Sequence, residues 1–394
     1  MMMAMKGIMK KIRWPQALFL LFVFVLLVEQ LSRIALLQHY TWLADSFLHG
    51  RLDVSRSDLT NGWVSDMIIV GKKYFWPLGP FPAVLLLPAV AVFGKSLYLS
   101  PLLQTAIVAG IVGVGFRLAK EFGHNERAAA WLSFGFVFAS VAVGCALVNT
   151  PWQIGNTLAA LLFLLAALFY QKKNSPYLIG ALCGAALLSR YTAGLGIIFF
   201  VAAEILERKP RRETLLRLVR LSLPFGAGVL LLMLYNAARL GNPFDTGYSH
   251  HFLNPGPIKD SLARGVFGYW NVPRNFYYYF LKLPEWYDRP RINYEGLSFF
   301  LISPLFVFAG FGRRTKFFWP AVAVTVPALV VYLSYFTTGF VQFGPRYLVE
   351  LLPFWYLVLL EYFKNKGGLK SGHLFLIGAS AVLNLVLFIV YCRP

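Results

Sequence analysis

Long apolar stretches recur along this chain from residue 16 to residue 391, and they constrain its fold more than any other feature. A helix needs about 20 predominantly apolar residues to cross a bilayer, and most of these stretches approach that length. Only 14% of the 394 residues are charged, whereas soluble domains carry about a quarter. The sequence therefore predicts an all-α polytopic membrane protein. It excludes a soluble globular enzyme and a disordered or fibrous chain.

Eleven of these stretches are predicted to span the bilayer. The first follows a basic N-terminal segment and reaches Leu37, and its length and the lack of a clear cleavage site favour a retained span over a signal peptide. The stretch 80–94 is left out because it is short and interrupted by three prolines, so we expect an interfacial helix there. The other ten spans lie at approximately 97–118, 128–148, 154–170, 177–190, 191–207, 216–238, 297–312, 317–336, 345–363 and 373–391.

The basic residues predict the orientation of these spans. With the N-terminus in the cytoplasm, the cytoplasmic segments hold 20 Lys and Arg residues, whereas the short outer loops hold Arg190, Arg346 and almost nothing else. This asymmetry follows the positive-inside rule, so the net charge of +20 does not indicate nucleic-acid binding. Two long loops, 38–96 and 239–296, then fall outside. We expect one membrane domain over 1–394 in the plasma (cytoplasmic) membrane, with its chemistry on the outer face.

The first outer loop is the most informative segment. Residues 40–53 place three apolar side chains on one helical face, which predicts an amphipathic helix on the membrane surface. Asp66 then precedes a short apolar, strand-like run and a Gly-Lys-Lys turn. A proline-rich step leads from this turn into the apolar helix at 80–94.

This order of features resembles the membrane glycosyltransferases of the C-type fold (GT-C), a group that includes the protein O-mannosyltransferases and the aminoarabinose transferases. The shared features are the amphipathic helix, the acidic residue, Gly71-Lys-Lys-Tyr74 and the apolar helix ending at Gly94. Further matches are Phe116-Arg-Leu-Ala-Lys-Glu-Phe-Gly123, Gly241-Asn-Pro-Phe-Asp-Thr-Gly-Tyr248 and Phe343-Gly-Pro-Arg-Tyr-Leu-Val-Glu-Leu-Leu-Pro353. Each motif is loose by itself, but their order covers most of the chain.

The resemblance implies an enzyme that takes a sugar from a polyprenyl-phosphate carrier and transfers it to a lipid, glycan or protein acceptor outside the cytoplasm. A carboxylate of the first loop would serve as general base or position the acceptor, and basic residues would hold the donor phosphate. In the aminoarabinose and O-mannosyl branches the acidic residue stands just before the amphipathic helix, where this chain has Leu36-Leu-Gln-His39. Two positions remain for the base: Asp66, which we favour, and Asp45.

Arg346 is the main candidate for the donor phosphate, because an ionisable group at the boundary of an apolar run is costly and guanidinium binds phosphate oxygens bidentately. Arg190, Lys72 and Lys73 are further candidates, although headgroup contacts also explain the lysines. Candidates for substrate contact are Tyr74, Tyr347, Asp245 and His250.

The transfer reaction that the resemblance implies requires no cofactor. The adjacent pair His250-His251 is a weak metal signal because adjacent side chains point apart, and the chain has no Asp-x-Asp motif. A divalent cation is possible but not implied, and no metal ligand is assigned. No cytoplasmic segment is long enough for a nucleotide-binding domain, which disfavours a nucleotide-sugar donor.

Two other functions stay open. A transporter or flippase without chemistry would carry charges through its spans, whereas here charge concentrates in the outer loops. A ligase or polymerase that moves glycans from lipid diphosphates shares much of the chemistry, and the sequence separates it poorly.

Overall fold

In this computed structural model the structure describes residues 23–29, 37–59, 66–97, 99–148, 150–207, 210–253, 255–286, 290–291, 295–339 and 342–392. Helices dominate this part of the chain. The longest are Leu99–Glu121, Pro151–Gln171, Arg211–Leu240 and Ser371–Cys392. The shorter ones are His39–Leu48, Phe81–Phe93, Glu126–Phe138, Ala142–Leu147, Pro176–Ser189, Ile197–Leu206, Pro257–Ala263, Val272–Phe276, Phe299–Ile302, Phe318–Ser334 and Leu352–Asn365.

Short irregular elements connect these helices. The 3-10 segments are Tyr191–Gly196, Tyr248–His250, Tyr269–Asn271, Pro304–Phe311 and Arg346–Glu350, and Tyr277–Leu281 is π-helical. Two antiparallel hairpins pair Ile68–Val70 with Lys73–Phe75, and Glu285–Trp286 with Pro290–Arg291. The first hairpin confirms the strand-like run and the Gly-Lys-Lys turn predicted after Asp66.

Four helices of the described residues are long and apolar enough to cross a membrane: Leu99–Glu121, Pro151–Gln171, Arg211–Leu240 and Ser371–Ile389. The predicted total of eleven spans stays a prediction. Most of the first predicted span, 16–37, lies outside the described residues.

The helix Pro151–Gln171 forms the centre of the protein, because it is the most deeply buried of these four helices. It packs between the helices Leu99–Glu121 and Pro176–Ser189. Pro151 occupies the first helical turn, where its missing N–H leaves no intrahelical bond unmade. The helix Arg211–Leu240 lies at the periphery with most of its leucines exposed, and it ends at Gly241 in the left-handed conformation, φ 76°.

Two predicted spans are broken, and this corrects the sequence analysis. The predicted span 128–148 is divided into Glu126–Phe138 and Ala142–Leu147, and the predicted span 297–312 into Phe299–Ile302 and Pro304–Phe311. The predicted span 345–363 likewise begins as the 3-10 segment Arg346–Glu350 before the helix Leu352–Asn365.

Polar contacts between the two broken spans explain why the apolar runs do not continue as single helices. The backbone N–H of Val141 donates to the hydroxyl of Ser303 at 2.8 Å. The Asn384 amide donates to the carbonyl oxygens of Phe138 and Ile302, both at 2.9 Å, so it satisfies a carbonyl at each break. Inside a membrane protein, backbone freed from a helix is stable only with such internal partners.

The helix predicted within residues 40–53 is present as His39–Leu48, and it is more deeply buried in protein than an amphipathic pattern predicts. Seven of its ten residues are buried in protein, and it packs on the helix Phe81–Phe93. Leu43 is fully buried, whereas Leu48 on the same predicted face is exposed. This helix is therefore part of the protein core, and Asp45 lies on its partly exposed side.

Candidate functional site

The two long loops, 38–96 and 239–296, meet at Asp66. The backbone N–H of Asp66 donates to the carbonyl of Phe252, and that of Phe252 donates to Met67, both at 2.8 Å. An isolated bridge between Ile68 and His251 extends this pairing. Asp66 has φ +69°, a left-handed conformation that is uncommon for residues other than glycine. Strained backbone of this kind clusters at functional sites, and here the pairing with the second loop holds it in place.

Asp66 faces a buried histidine. The Oδ1 atom of Asp66 lies 3.7 Å from Nε2 of His251, whose side chain is 8% exposed. Burial raises the pKa of Asp66, while the positive charges of His251 and Arg346 act in the opposite direction. Burial also lowers the pKa of His251. A carboxylate with a raised pKa is a stronger base than an ordinary aspartate, which suits proton abstraction.

A buried ion pair stands beside this site. Arg190 pairs with Glu350, and both side chains are almost completely buried. Glu350 Oε2 also accepts hydrogen bonds from the hydroxyls of Thr192 and Tyr332, each at 3.1 Å. The charge of Arg190 is thus compensated within the protein. This arrangement ties the junction after the helix Pro176–Ser189 to the segment Arg346–Glu350.

Arg346 is buried without such compensation. It is 9% exposed, its Nε has no hydrogen-bond partner among the described residues, and no carboxylate of that part of the chain forms an ion pair with it. Both guanidinium groups lie over the ring of Tyr347, with that of Arg190 4.9 Å and that of Arg346 5.5 Å from the ring centre. A buried cation of this kind is costly unless an anion joins it.

The backbone around Arg346 is shaped for close packing. Its N–H donates to Oε1 of Gln342 at 3.1 Å. Gly339, with φ +124°, packs so tightly that a Cβ atom there would overlap Oε1 of Gln342 and lie 3.2 Å from Nε of Arg346. A side chain at this position would displace Gln342, whose Oε1 accepts the hydrogen bond from the Arg346 N–H.

These residues line one cavity of about 800 Å³. Asp66 and His251 form one part of its wall, and Arg190, Arg346 and Tyr347 form another. Much of the remaining lining is aromatic or aliphatic: Leu78, Val148, Trp152, Tyr248, Leu253, Val266, Phe267, Val331, Tyr332, Tyr335 and Phe336. Glu295 also lines the cavity, but it is paired with Arg274. The cavity therefore combines two carboxylates, two guanidinium groups and a large apolar surface, a lining that suits an amphiphilic anion.

Three of the predicted polar residues lie away from this cavity. Asp45 lies 3.4 Å from Nζ of Lys95. Lys72 and Lys73 are exposed at the turn of the first hairpin. None of the three lines the main cavity.

The predicted substrate-contact residues are divided. Tyr347 lines the main cavity, whereas Tyr74, Asp245 and His250 do not. Tyr74 pairs with Ile69 in the hairpin. Asp245 accepts a hydrogen bond from the backbone N–H of Gly247 at 2.7 Å and lies 3.4 Å from Nε2 of His250.

Two residues of the site were missed at the level of sequence. His251 belongs to the adjacent His pair, but the pattern could not show which member turns inward. Glu350 lies within the matched segment 343–353 and inside an apolar run. Because burying a carboxylate in such a run costs free energy, a residue of this kind is a functional candidate. That signal was available in the sequence.

His39 is the last residue of the segment Leu36-Leu-Gln-His39 and the first residue of the helix His39–Leu48. It is fully buried, and its ring centroid lies 4.3 Å from that of Trp76 and 5.1 Å from that of Trp42. Burial lowers the pKa of His39 to about 3, so this side chain is a neutral part of an aromatic cluster at ordinary pH.

The described residues contain no group of three or more His, Cys, Asp and Glu side chains that could hold a metal ion. Asp66 and His251 together offer two such groups to the cavity. These two groups by themselves do not imply a divalent cation.

Comparison with known proteins identifies the fold. No family model and no curated protein sequence matches the chain. Among solved structures it is similar to ArnT from Cupriavidus metallidurans bound to undecaprenyl phosphate, with a TM-score of 0.54 and 14% sequence identity. The match covers 94% of this chain but 62% of the ArnT chain, so this chain spans less than two thirds of that protein's length. As the resemblance in sequence predicted, the chain has a GT-C-like fold of a polytopic membrane protein.

Proposed function

We propose that this protein is a membrane glycosyltransferase that moves a sugar from a polyprenyl-phosphate carrier to a lipid, glycan or protein acceptor on the extracytoplasmic face. The observation that carries the proposal is the uncompensated Arg346 in the same cavity as Asp66. A phosphate anion would supply the charge that Arg346 lacks, and Asp66 would accept a proton across the bound sugar. The similar ArnT structure contains undecaprenyl phosphate, an anionic lipid of this class.

The apolar lining supports a lipid donor. The cavity reaches Val331 on the helix Phe318–Ser334, and the neighbouring Val326 and Val330 are exposed on that helix. A prenyl chain lying along this helix would be in contact with apolar side chains while its phosphate lies at Arg346. Because the prenyl chain already lies in lipid, this contact would act by close packing and by orienting the donor, not by transfer of the chain out of water.

The proposed chemistry balances with one carboxylate. The acceptor hydroxyl oxygen attacks the anomeric carbon, its proton passes to Asp66, and the bond from that carbon to the phosphate oxygen breaks with its electron pair on the phosphate. A lipid phosphate needs little protonation to leave, and Arg346 stabilises its developing charge. Glycoside hydrolases differ in this respect because they need an acid as well as a base or nucleophile.

The first test measures donor binding in lipid nanodiscs with radiolabelled polyprenyl-phosphate sugars. We expect saturable binding that Arg346→Gln weakens by roughly tenfold to a hundredfold, the effect of losing about 1.5–3 kcal/mol of charge-assisted hydrogen bonding. Arg56→Gln removes an exposed arginine of the first outer loop, which stacks over Tyr74 at 5.7 Å, and is the matched control. A folded wild-type protein that binds none of the donors would overturn the proposal and favour a transporter or a diphosphate-dependent ligase.

The second test separates binding from chemistry through slow release or transfer of the sugar. Asp66→Asn keeps the shape of the side chain but removes the base, so we expect a loss of about a hundredfold or more with donor binding largely intact. Asp45→Asn tests the alternative base and should leave transfer unchanged, because Asp45 faces Lys95 outside the cavity. Full activity in Asp66→Asn would end the assignment of Asp66.

A further inference from the structure

A second cavity lies behind the first hairpin, separate from the site described above. Its volume is about 280 Å³, room for a small polyatomic ion and part of its substituent. Its charged lining comes from three separate elements. Arg51 follows the helix His39–Leu48, Lys73 belongs to the hairpin, and Arg239 stands in the last turn of the helix Arg211–Leu240.

The three cations of this second cavity are not neutralised by the protein. No carboxylate of the described residues forms an ion pair with Arg51, Lys73 or Arg239. Asp53 is the acidic residue in the lining, so three positive charges stand against one negative charge. Like charges brought together around one space repel each other, and an anion in that space relieves the repulsion.

Arg239 distinguishes this cavity from a patch of surface charge, because its side chain is buried and held in place. It is 5% exposed. Its guanidinium group donates to the carbonyl of Trp76 and to Oδ1 of Asn236, both at 2.7 Å, and to the hydroxyl of Tyr191 at 3.3 Å. It also stacks 4.3 Å from the ring of Tyr235. Its Nε has no hydrogen-bond partner within the described part of the chain. The protein thus holds a buried guanidinium group rigidly beside the cavity without giving it a counter-charge.

We propose that the second cavity binds a phosphate group, carried by an anionic lipid headgroup or by a free phosphate compound. A fixed guanidinium group and a flexible lysine together match the oxygens and the charge of phosphate. Lys73 would then bind phosphate in the second cavity and not in the main cavity, which it does not line. The site does not depend on the transfer reaction proposed above.

The test uses the full-length protein in nanodiscs of phosphatidylcholine, with inorganic phosphate as the probe and calorimetry as the readout. The measurement is made in Arg346→Gln protein, so that the main cavity does not contribute. Lys73→Gln and Arg51→Gln change partly or fully exposed side chains, and each should weaken phosphate binding by about tenfold. Lys72→Gln is the matched control, because Lys72 is the exposed neighbour of Lys73 that does not line the cavity. Asp53→Asn removes the opposing charge and should tighten binding several-fold.

A second arm identifies the source of the phosphate. Nanodiscs that contain a small fraction of phosphatidic acid will compete with inorganic phosphate if the lipid headgroup reaches the cavity, and will not compete if only soluble compounds enter. Either result supports a phosphate site. Equal losses in Lys72→Gln and Lys73→Gln, an unchanged affinity in Asp53→Asn, or no binding in the Arg346→Gln protein would overturn it. All three readouts are independent of sugar transfer, so their failure leaves the proposed glycosyltransferase function untouched.

Discussion

Arg190 and Arg346 flank the same tyrosine ring, yet the protein treats their charges differently. Arg190 is neutralised by Glu350, whereas Arg346 has no carboxylate partner among the residues that the structure describes. Because the cost of a buried charge depends on its partners, the first arginine holds the structure together and the second is available to a ligand. The sequence favoured Arg346 over Arg190 as the phosphate ligand, but it could not show that Glu350 neutralises Arg190.

Glu350 provides a direct test of the structural role of the first arginine. Glu350→Gln leaves Arg190 buried without its counter-ion, and we expect the free energy of unfolding to fall by about 3–5 kcal/mol. Thermal unfolding in nanodiscs measures this loss. Glu121→Gln is the control, since Glu121 pairs with Lys172 at 3.3 Å on the surface, where such pairs contribute about 0–1 kcal/mol. Equal effects of the two substitutions would contradict the buried-pair interpretation.

The pH dependence of transfer should report the Asp66–His251 pair. The base must be ionised, so the rate rises with pH through the pKa of Asp66, which burial raises. The positive charge of His251 lowers the pKa of this carboxyl, and His251→Gln removes that charge. We therefore expect the acid limb of the profile of kcat/KM against pH to move to higher pH in this variant. A limb that stays in place or moves to lower pH would show that His251 does not act on Asp66.

At the scale of elements, the closest helix contact depends on glycine. The helix Arg211–Leu240 crosses the helix Pro176–Ser189 where Gly184 meets Gly228 and where Gly180 faces the carbonyl of Leu221. A Cβ atom at Gly228 would lie 2.9 Å from Cα of Gly184. Small residues at such crossings allow the two backbones to approach closely. The van der Waals contacts then stabilise the helix pair, because lipid supplies no hydrophobic driving force for association.

Gly180→Ala tests this contact. The added methyl group would overlap the carbonyl oxygen of Leu221, so we expect a loss of about 1–3 kcal/mol in stability from overpacking. Gly113→Ala is the matched control in the helix Leu99–Glu121, because a Cβ atom there has no neighbour within 4 Å. In that open position alanine should be neutral or stabilising by up to about 1 kcal/mol. The midpoint of thermal unfolding distinguishes the two outcomes.

At the scale of the whole molecule, the positive-inside pattern predicts that the first hairpin and the main cavity face outside. In a Cys392→Ser background, single cysteines replace Lys72 in the hairpin and Arg314 in a predicted cytoplasmic segment. Both positions are exposed, and the native Cys145 and Cys183 are buried. A membrane-impermeant maleimide added to intact cells should label position 72 and not position 314. The reverse pattern would invert the orientation and place the cavity on the cytoplasmic side.

The membrane class, most of the apolar helices and the first hairpin could be predicted from the sequence, because they depend on local composition and periodicity. The resemblance to the GT-C enzymes came from short motifs and their order along the chain. Arg346 could also be chosen from sequence, because a charged group at the boundary of an apolar run is costly. Asp66 could be chosen because the resemblance implies an acidic residue before Gly71-Lys-Lys-Tyr74.

How these residues meet depends on contacts between segments that are far apart in the sequence. The breaks near Val141 and Ser303 depend on hydrogen bonds between distant spans, and the inward turn of His251 depends on pairing between two loops. The contrast between Arg190 and Arg346 depends on which of them lies near Glu350, a contact across 160 positions. The sequence shows that a charged residue lies in an apolar run. Which residue neutralises that charge depends on the packing of segments that are far apart in the chain.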